Sequence, residues 1–273
     1  MAPSTWLRAG VRAATLLLMA VTSVAAARGP DSLTAARRLY NQGQFDQALE
    51  AARPAANNPS TMSSARLVMG RSRLERYRQA PGARELDDAR GDFHAVDPRA
   101  LNSSERIELQ VGLGELLYFE DRFGAAAELL DPVVDVSATL GPEAHERALD
   151  WWATALDRQA QAQPPAERPP AYVRITERMA QELRRDPTSA PASYWLTASA
   201  RAAGDLDRAW AAAWAGWIRA TLGRDRGVAL RADLDKLVTQ AIIPDRAGRL
   251  PARDRRQATA TMTADWEAFK KIW

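Results

Sequence analysis

Cysteine is absent from all 273 residues, lysine occurs only at Lys236, Lys270 and Lys271, and the two histidines are His94 and His145. Without thiols the chain can form no disulfide framework, offers no lipobox for a diacylglyceryl anchor, and lacks the usual ligands of a structural zinc site. The histidines do not replace them. Zinc sites built from histidine commonly place two at i and i+4 on one helix, and neither His94 nor His145 has such a partner. Both read as surface or capping residues. No Gly-x-Ser-x-Gly elbow presents a hydrolase nucleophile, and no Gly-x-x-x-x-Gly-Lys cradles a phosphate. The sequence therefore assigns no metal ligand, no cofactor and no catalytic residue, and the expected protein is not an enzyme.

Long apolar runs are also scarce. The first thirty residues, MAPSTWLRAGVRAATLLLMAVTSVAAARGP, carry Arg8 and Arg12 ahead of an uncharged stretch over residues 13–27 that ends in small side chains. That stretch is shorter than the ~20 residues of a membrane span. Residues 1–27 read as a secretory signal peptide, with an uncleaved anchor as the alternative. No later stretch is long and apolar enough to cross a bilayer, so an exported protein of the periplasm or cell envelope, not a lipoprotein, is expected. Arginine outnumbers lysine 34 to 3, but the two arginines of the leader depart with it, leaving 35 bases against 34 acids. Nucleic-acid binding needs a clustered basic face, which a net charge of +1 spread along the chain does not supply.

Internal repetition is the strongest feature present. NQGQFDQAL from Asn41, FEDRFGAAA from Phe119 and AAGDLDRAW from Ala202 align without gaps. Each has a polar or glycine-containing turn, an apolar anchor (Phe45, Phe123, Leu206), and a small residue three positions later (Ala48, Ala126, Ala209). A weaker copy, ARELDDARGDF, places Leu86, Ala89 and Phe93 between the first two. ERALDWWATALDRQ and AYVRITERMAQELRRDP, joined by a Pro-rich connection, fill the second gap. The unit is helix, turn, helix. This pattern resembles the tetratricopeptide repeat family, best in LQVGLGELLYFEDRFGAAAELLDPVV, where Leu113-Gly114, Leu117, Ala126 and Leu130 fall on the family's positions.

The resemblance implies an all-α fold: a right-handed α-solenoid of about five helix-turn-helix repeats over residues 28–243. The repeats fall roughly at 31–58, 61–97, 103–138, 142–187 and 190–222, closed by a single-faced capping helix at 225–243. The Arg-rich, Gly- and Pro-broken residues 244–258 read as a linker or mobile tail. Residues 259–273 place Met262, Trp266, Phe269 and Trp273 on one stripe of a short amphipathic helix.

Repeats of this family usually bind peptides or partner proteins in the groove lined by their first helices. Mapping that groove gives Arg37, Tyr40, Arg71, Glu115, Tyr118, Asp150, Asp157, Tyr194 and Arg201, whose charges alternate rather than forming a basic clamp. Trp214 falls where the family is polar, and with Trp266, Phe269 and Trp273 it completes the candidate partner contacts. In WAAAWAGW, Trp210 and Trp217 fall on positions that pack against the following helix, while Trp214 is expected either under the C-terminal helix or as the exposed indole of the three. Trp152 takes a packed position and Trp151 a partly exposed one.

The function expected is a non-catalytic envelope scaffold that binds a protein or peptide partner. A glycan-active enzyme using groove carboxylates such as Glu108, Glu115, Glu120 and Asp121 is one alternative. A membrane-surface protein touching lipid through residues 248–273 is another. N-terminal sequencing of the exported protein is expected to begin at Ala27 or Arg28, and an envelope-bound chain still starting at Met1 would mean that the leader is an anchor.

Overall fold

Three turns share one backbone geometry, and they occupy the same place in the three aligned segments. Gly43, Asp121 and Gly204 lie in the left-handed region, at φ of +73°, +57° and +83°. The amide after each reaches back five residues: Gln44 donates to the Leu39 carbonyl, Arg122 to Leu117 and Asp205 to Ala200, all at 2.9 Å. This pattern satisfies the last free carbonyls of one helix and reverses the chain at once. Glycine enters the left-handed region without strain, and aspartate is among the few other residues that tolerate it.

The computed structural model describes residues 29–223 and 227–273, so the leader expected over residues 1–27 lies outside the described residues. Among the described residues the chain is all helical. The three turns join α1 (Gly29–Asn41) to α2 (Phe45–Ala56), α5 (Ser103–Phe119) to α6 (Phe123–Val136), and α9 (Ala190–Ala202) to α10 (Leu206–Ala220). Between them lie the pairs α3 (Met62–Gln79) with α4 (Ala83–His94) and α7 (Pro142–Gln161) with α8 (Pro169–Arg185). These two pairs have different connections: Ala80 is extended ahead of Pro81, and a short 3₁₀ turn at Pro165–Glu167 occupies the Pro-rich link. Proline lacks the amide that a tight helix-ending turn needs, so neither link takes the left-handed turn, and the second, over residues 162–168, is also longer.

Consecutive helices pack on one another throughout, and the odd-numbered ones also touch each other in sequence, α1 to α3, α3 to α5, α5 to α7 and α7 to α9. The first helix of each pair thus joins a continuous layer, with the second helices behind it. Small side chains set the spacing between the layers. Ala48, Ala89, Ala126 and Ala209 are completely enclosed. Gly114 has Leu130 packed on it so closely that a Cβ there would come within 2.6 Å of the leucine side chain.

After α10 the chain departs from expectation. α11 (Val228–Leu237) touches α9 and α10 and does not stop near Pro244. It passes through a π-helical turn at Val238–Ile242 into α12 (Ile243–Gly248). The wider turn just before the proline relieves the clash of its ring with the preceding turn. Residues 249–251 then break the helix, and α13 (Ala252–Ile272) follows, so the linker expected over residues 244–258 is instead mostly helix.

The arginines of this segment account for its order. Arg246 donates to the Leu206 carbonyl at 2.9 Å and pairs with Asp207 at 2.7 Å, Arg249 donates to the Gly204 carbonyl, and Arg201 holds Asp245 at 2.7 Å. Similar ties from arginine to chain carbonyls occur at Arg106 to Leu101 and Arg168 to Gln163. Among the described residues no helix is long and apolar enough to cross a membrane.

The left-handed turns give opposite expectations for two substitutions. Gly204→Ala should lower stability by about 1 kcal/mol, and Asp121→Gly should raise it by several tenths, measured by urea unfolding. Equal effects at both positions would mean that the turn backbone does not set the cost.

Candidate functional site

The layer of odd-numbered helices carries two cavities. The larger, of about 780 Å³, lies among α1, α3, α5 and the start of α7 and is lined by Arg37, Tyr40, Phe45, Arg71, Glu75, Arg78, Glu108, Glu143 and Arg147. The second, of about 480 Å³, lies among α7, α8, α9 and α12 and includes Asp157, Tyr172, Tyr194, Arg201 and Asp245. The sequence-derived groove residues therefore divide. Arg37, Tyr40 and Arg71 meet in the first cavity, and Asp157, Tyr194 and Arg201 in the second.

Two of them are not free to meet a ligand. Arg71 and Glu115, expected on an exposed face, are buried and paired at 3.7 Å. The Arg71 guanidinium also donates to the Tyr40 hydroxyl at 3.1 Å and to the Glu108 carbonyl at 3.3 Å. Both carboxylate oxygens of Glu115 are fully enclosed and accept no hydrogen bond from the protein. Burial pushes the Glu115 carboxyl above its ordinary range, against the opposing pull of Arg71. Burial alone would weaken the proton affinity of Arg71, but Glu115 and Tyr40 outweigh it and keep the guanidinium charged. A carboxylate enclosed in this way cannot reach a glycan, which removes Glu115 from the glycosidase reading.

Around this pair the cavity wall is polar and mostly neutralised. Glu75 binds Arg78 at 2.9 Å and lies 3.9 Å from Arg147, and Arg37 pairs with Glu105. Burial raises the proton affinity of the Glu108 carboxyl as well, against the opposing pull of Arg71 and Arg37. Arg71, Glu75 and Arg78 form one stripe at i, i+4 and i+7 on α3, so extending the Arg71 position along the helix would have found the other two.

Tyr118 lies between the cavities in an aromatic cluster. Its ring meets Trp151 at 4.9 Å and Phe123 at 5.2 Å, Phe119 meets Trp151 at 5.4 Å, and Arg78 lies over the Trp151 ring. Trp152 is enclosed and Trp151 half-buried, as their positions in the repeat imply. Asp150 accepts a hydrogen bond from the Trp195 indole at 2.7 Å.

The C-terminal aromatic stripe folds back on its own chain. Trp266 is completely buried, and its indole donates to Asp235 of α11 at 2.8 Å. Phe269 is buried too and stacks on Trp214, with ring centroids 4.6 Å apart and planes 11° from parallel. Trp266 and Phe269 therefore cannot serve as partner contacts. Trp214 is partly covered by α13 and remains more exposed than Trp217, while Trp273 is exposed. Trp217 packs edge-on against Trp266 at 5.4 Å, and Trp210 sits beside Trp266 at 6.3 Å, so both face the terminal helices.

His145 departs from the surface-or-capping expectation. Its Nδ1 lies 2.9 Å from the Ser137 hydroxyl and its Nε2 lies 2.9 Å from a Glu182 carboxylate oxygen. Serine, histidine and glutamate in line have the composition of a nucleophilic triad. Ser137, however, is completely buried and its hydroxyl also lies 3.1 Å from the Val134 carbonyl, so no substrate can reach it. The chain of hydrogen bonds joins the 3₁₀ turn after α6 to α7 and α8. His94 is exposed at the end of α4. Among the described residues no group of His, Asp or Glu is arranged to hold a metal ion.

No protein-family model and no curated protein matches the chain.

The buried pair generates a pH-dependent expectation. Arg71→Met strands the Glu115 charge and should cost about 3–5 kcal/mol near neutral pH. Glu115 takes up a proton more readily folded than unfolded, so acidification favours the folded state of this variant, and the deficit should shrink as the pH falls. Arg71→Met/Glu115→Leu should recover most of the loss. Urea unfolding at about pH 5 and about pH 8 checks both points, and a deficit that is equal at the two pH values would refute the charge argument.

Proposed function

We propose that the protein is an exported, non-catalytic adaptor of the cell envelope: a right-handed, tetratricopeptide-like α-solenoid that offers its first-helix layer to a protein or peptide partner. The observation that carries this reading is the continuous row from α1 to α9 with both cavities opening on it. Stacked repeats produce extended binding faces of this kind. The wall chemistry suits a polypeptide. It mixes guanidinium and carboxylate groups with the tyrosines Tyr40 and Tyr194, which together can address backbone amides, side chains of either charge and apolar residues. α13 closes the far end by covering Trp217 and half-covering Trp214.

A photo-crosslinking residue in place of Tyr40 should capture a discrete envelope partner, while the same residue in place of the exposed Arg184 on α8 should not. Reversing a rim charge with Arg147→Glu should weaken binding of that partner by about tenfold. Equal capture from both positions would sink the groove as the binding face.

A further inference from the structure

Exposed apolar side chains are concentrated at one edge, where α10 ends, α11 begins and α13 terminates. Leu222, Val228 and Ile272 are 63%, 69% and 76% exposed, and Trp273 and Trp214 are exposed beside them. Contacts tie these positions together. Trp214 stacks on Phe269, and the Trp273 amide donates to the Phe269 carbonyl one turn later. The Trp273 carbonyl accepts from Arg231 at 2.7 Å, and that guanidinium lies 4.8 Å from the centre of the Trp217 ring. The Arg231 amide donates to the Gly227 carbonyl. Gly227, at φ +72°, lies so close to Ala220 that Val228 starts beside the end of α10 and Leu222.

We propose that this composite edge docks on an anionic lipid surface. Its charge favours that occupant: the three cations Arg231, Lys270 and Lys271 outnumber the nearby carboxylates Asp235 and Glu267, both of which contact Lys270. Lys271, next to Ile272 and Trp273, is exposed and forms no ion pair among the described residues. Tryptophan flanked by cations and accompanied by exposed aliphatic side chains is the composition that partitions into the headgroup region. Docking with a second copy would set Lys271 and Arg231 against their own counterparts. Part of the contact, Leu222 and Val228, lies outside the C-terminal helix, so helix amphipathicity alone does not reveal it.

The absence of cysteine permits a position-specific test in the full chain. A polarity-sensitive fluorophore is attached through Leu222→Cys or Ile272→Cys, with Val173→Cys on the exposed side of α8 as the reference. Equimolar phosphatidylglycerol and phosphatidylcholine vesicles should brighten and blue-shift the label at 222 and 272 and leave that at 173 in water. Added salt or pure phosphatidylcholine should weaken the response, and Lys271→Glu should reduce apparent affinity by about tenfold. Labels at 222 and 272 that respond no more than the one at 173 would overturn the proposal. So would a response that follows protein concentration without vesicles, which would assign the edge to a second copy of the chain.

Discussion

A methyl group is the largest side chain that fits where the paired helices come closest. Ala48, Ala126 and Ala209 are enclosed at those points, and Gly114 admits Leu130 only because it has no Cβ. Close approach of the second helix fixes the depth of each pair, and that depth lets the first helix of one pair reach the first helix of the next. The left-handed residues at 43, 121 and 204 complete the constraint by reversing the chain within three residues. Everything placed on the first-helix layer, including both cavities, depends on that spacing.

The same closeness explains how charge is tolerated inside the layer. Arg71 and Glu115 sit where α3 meets α5, and neither could be buried alone, because desolvating a single charge costs far more than a helix contact returns. Tyr40 from α1 and the Glu108 carbonyl from α5 share the guanidinium, so one side chain couples three first helices. Such a pair contributes register more than stability. It leaves the cavity wall nearly neutral, which distinguishes this face from a basic clamp.

The turns, the enclosed alanines and the boundaries of the helix pairs were legible because each is encoded within a few residues: glycine or aspartate at the left-handed position, an apolar anchor, then alanine. What was not legible depends on distant partners. Arg246 and Arg249 look like part of a solvated tail, and only the carbonyls at Leu206 and Gly204, some forty residues earlier, make them structural. The burial of Glu115 follows from Arg71 on another helix, and the relay through His145 needs Glu182 from the next helix. At Trp214 the repeat position leaves two outcomes open, cover by the C-terminal helix or exposure, and the indole has part of each, stacked on Phe269 and still 37% exposed.

Arginine serves as a rivet at the ends of many of these helices, joined to backbone carbonyls at Leu101, Gln163, Gly204, Leu206 and Trp217 as well as to carboxylates. Neither half of such a joint titrates in the range where proteins live, because a guanidinium keeps its proton and an amide carbonyl never takes one. Acid that neutralises the surface ion pairs would therefore loosen the sides of the array before it loosened the connections between its helices. That ordering keeps the spacing of the layer independent of the surrounding proton concentration.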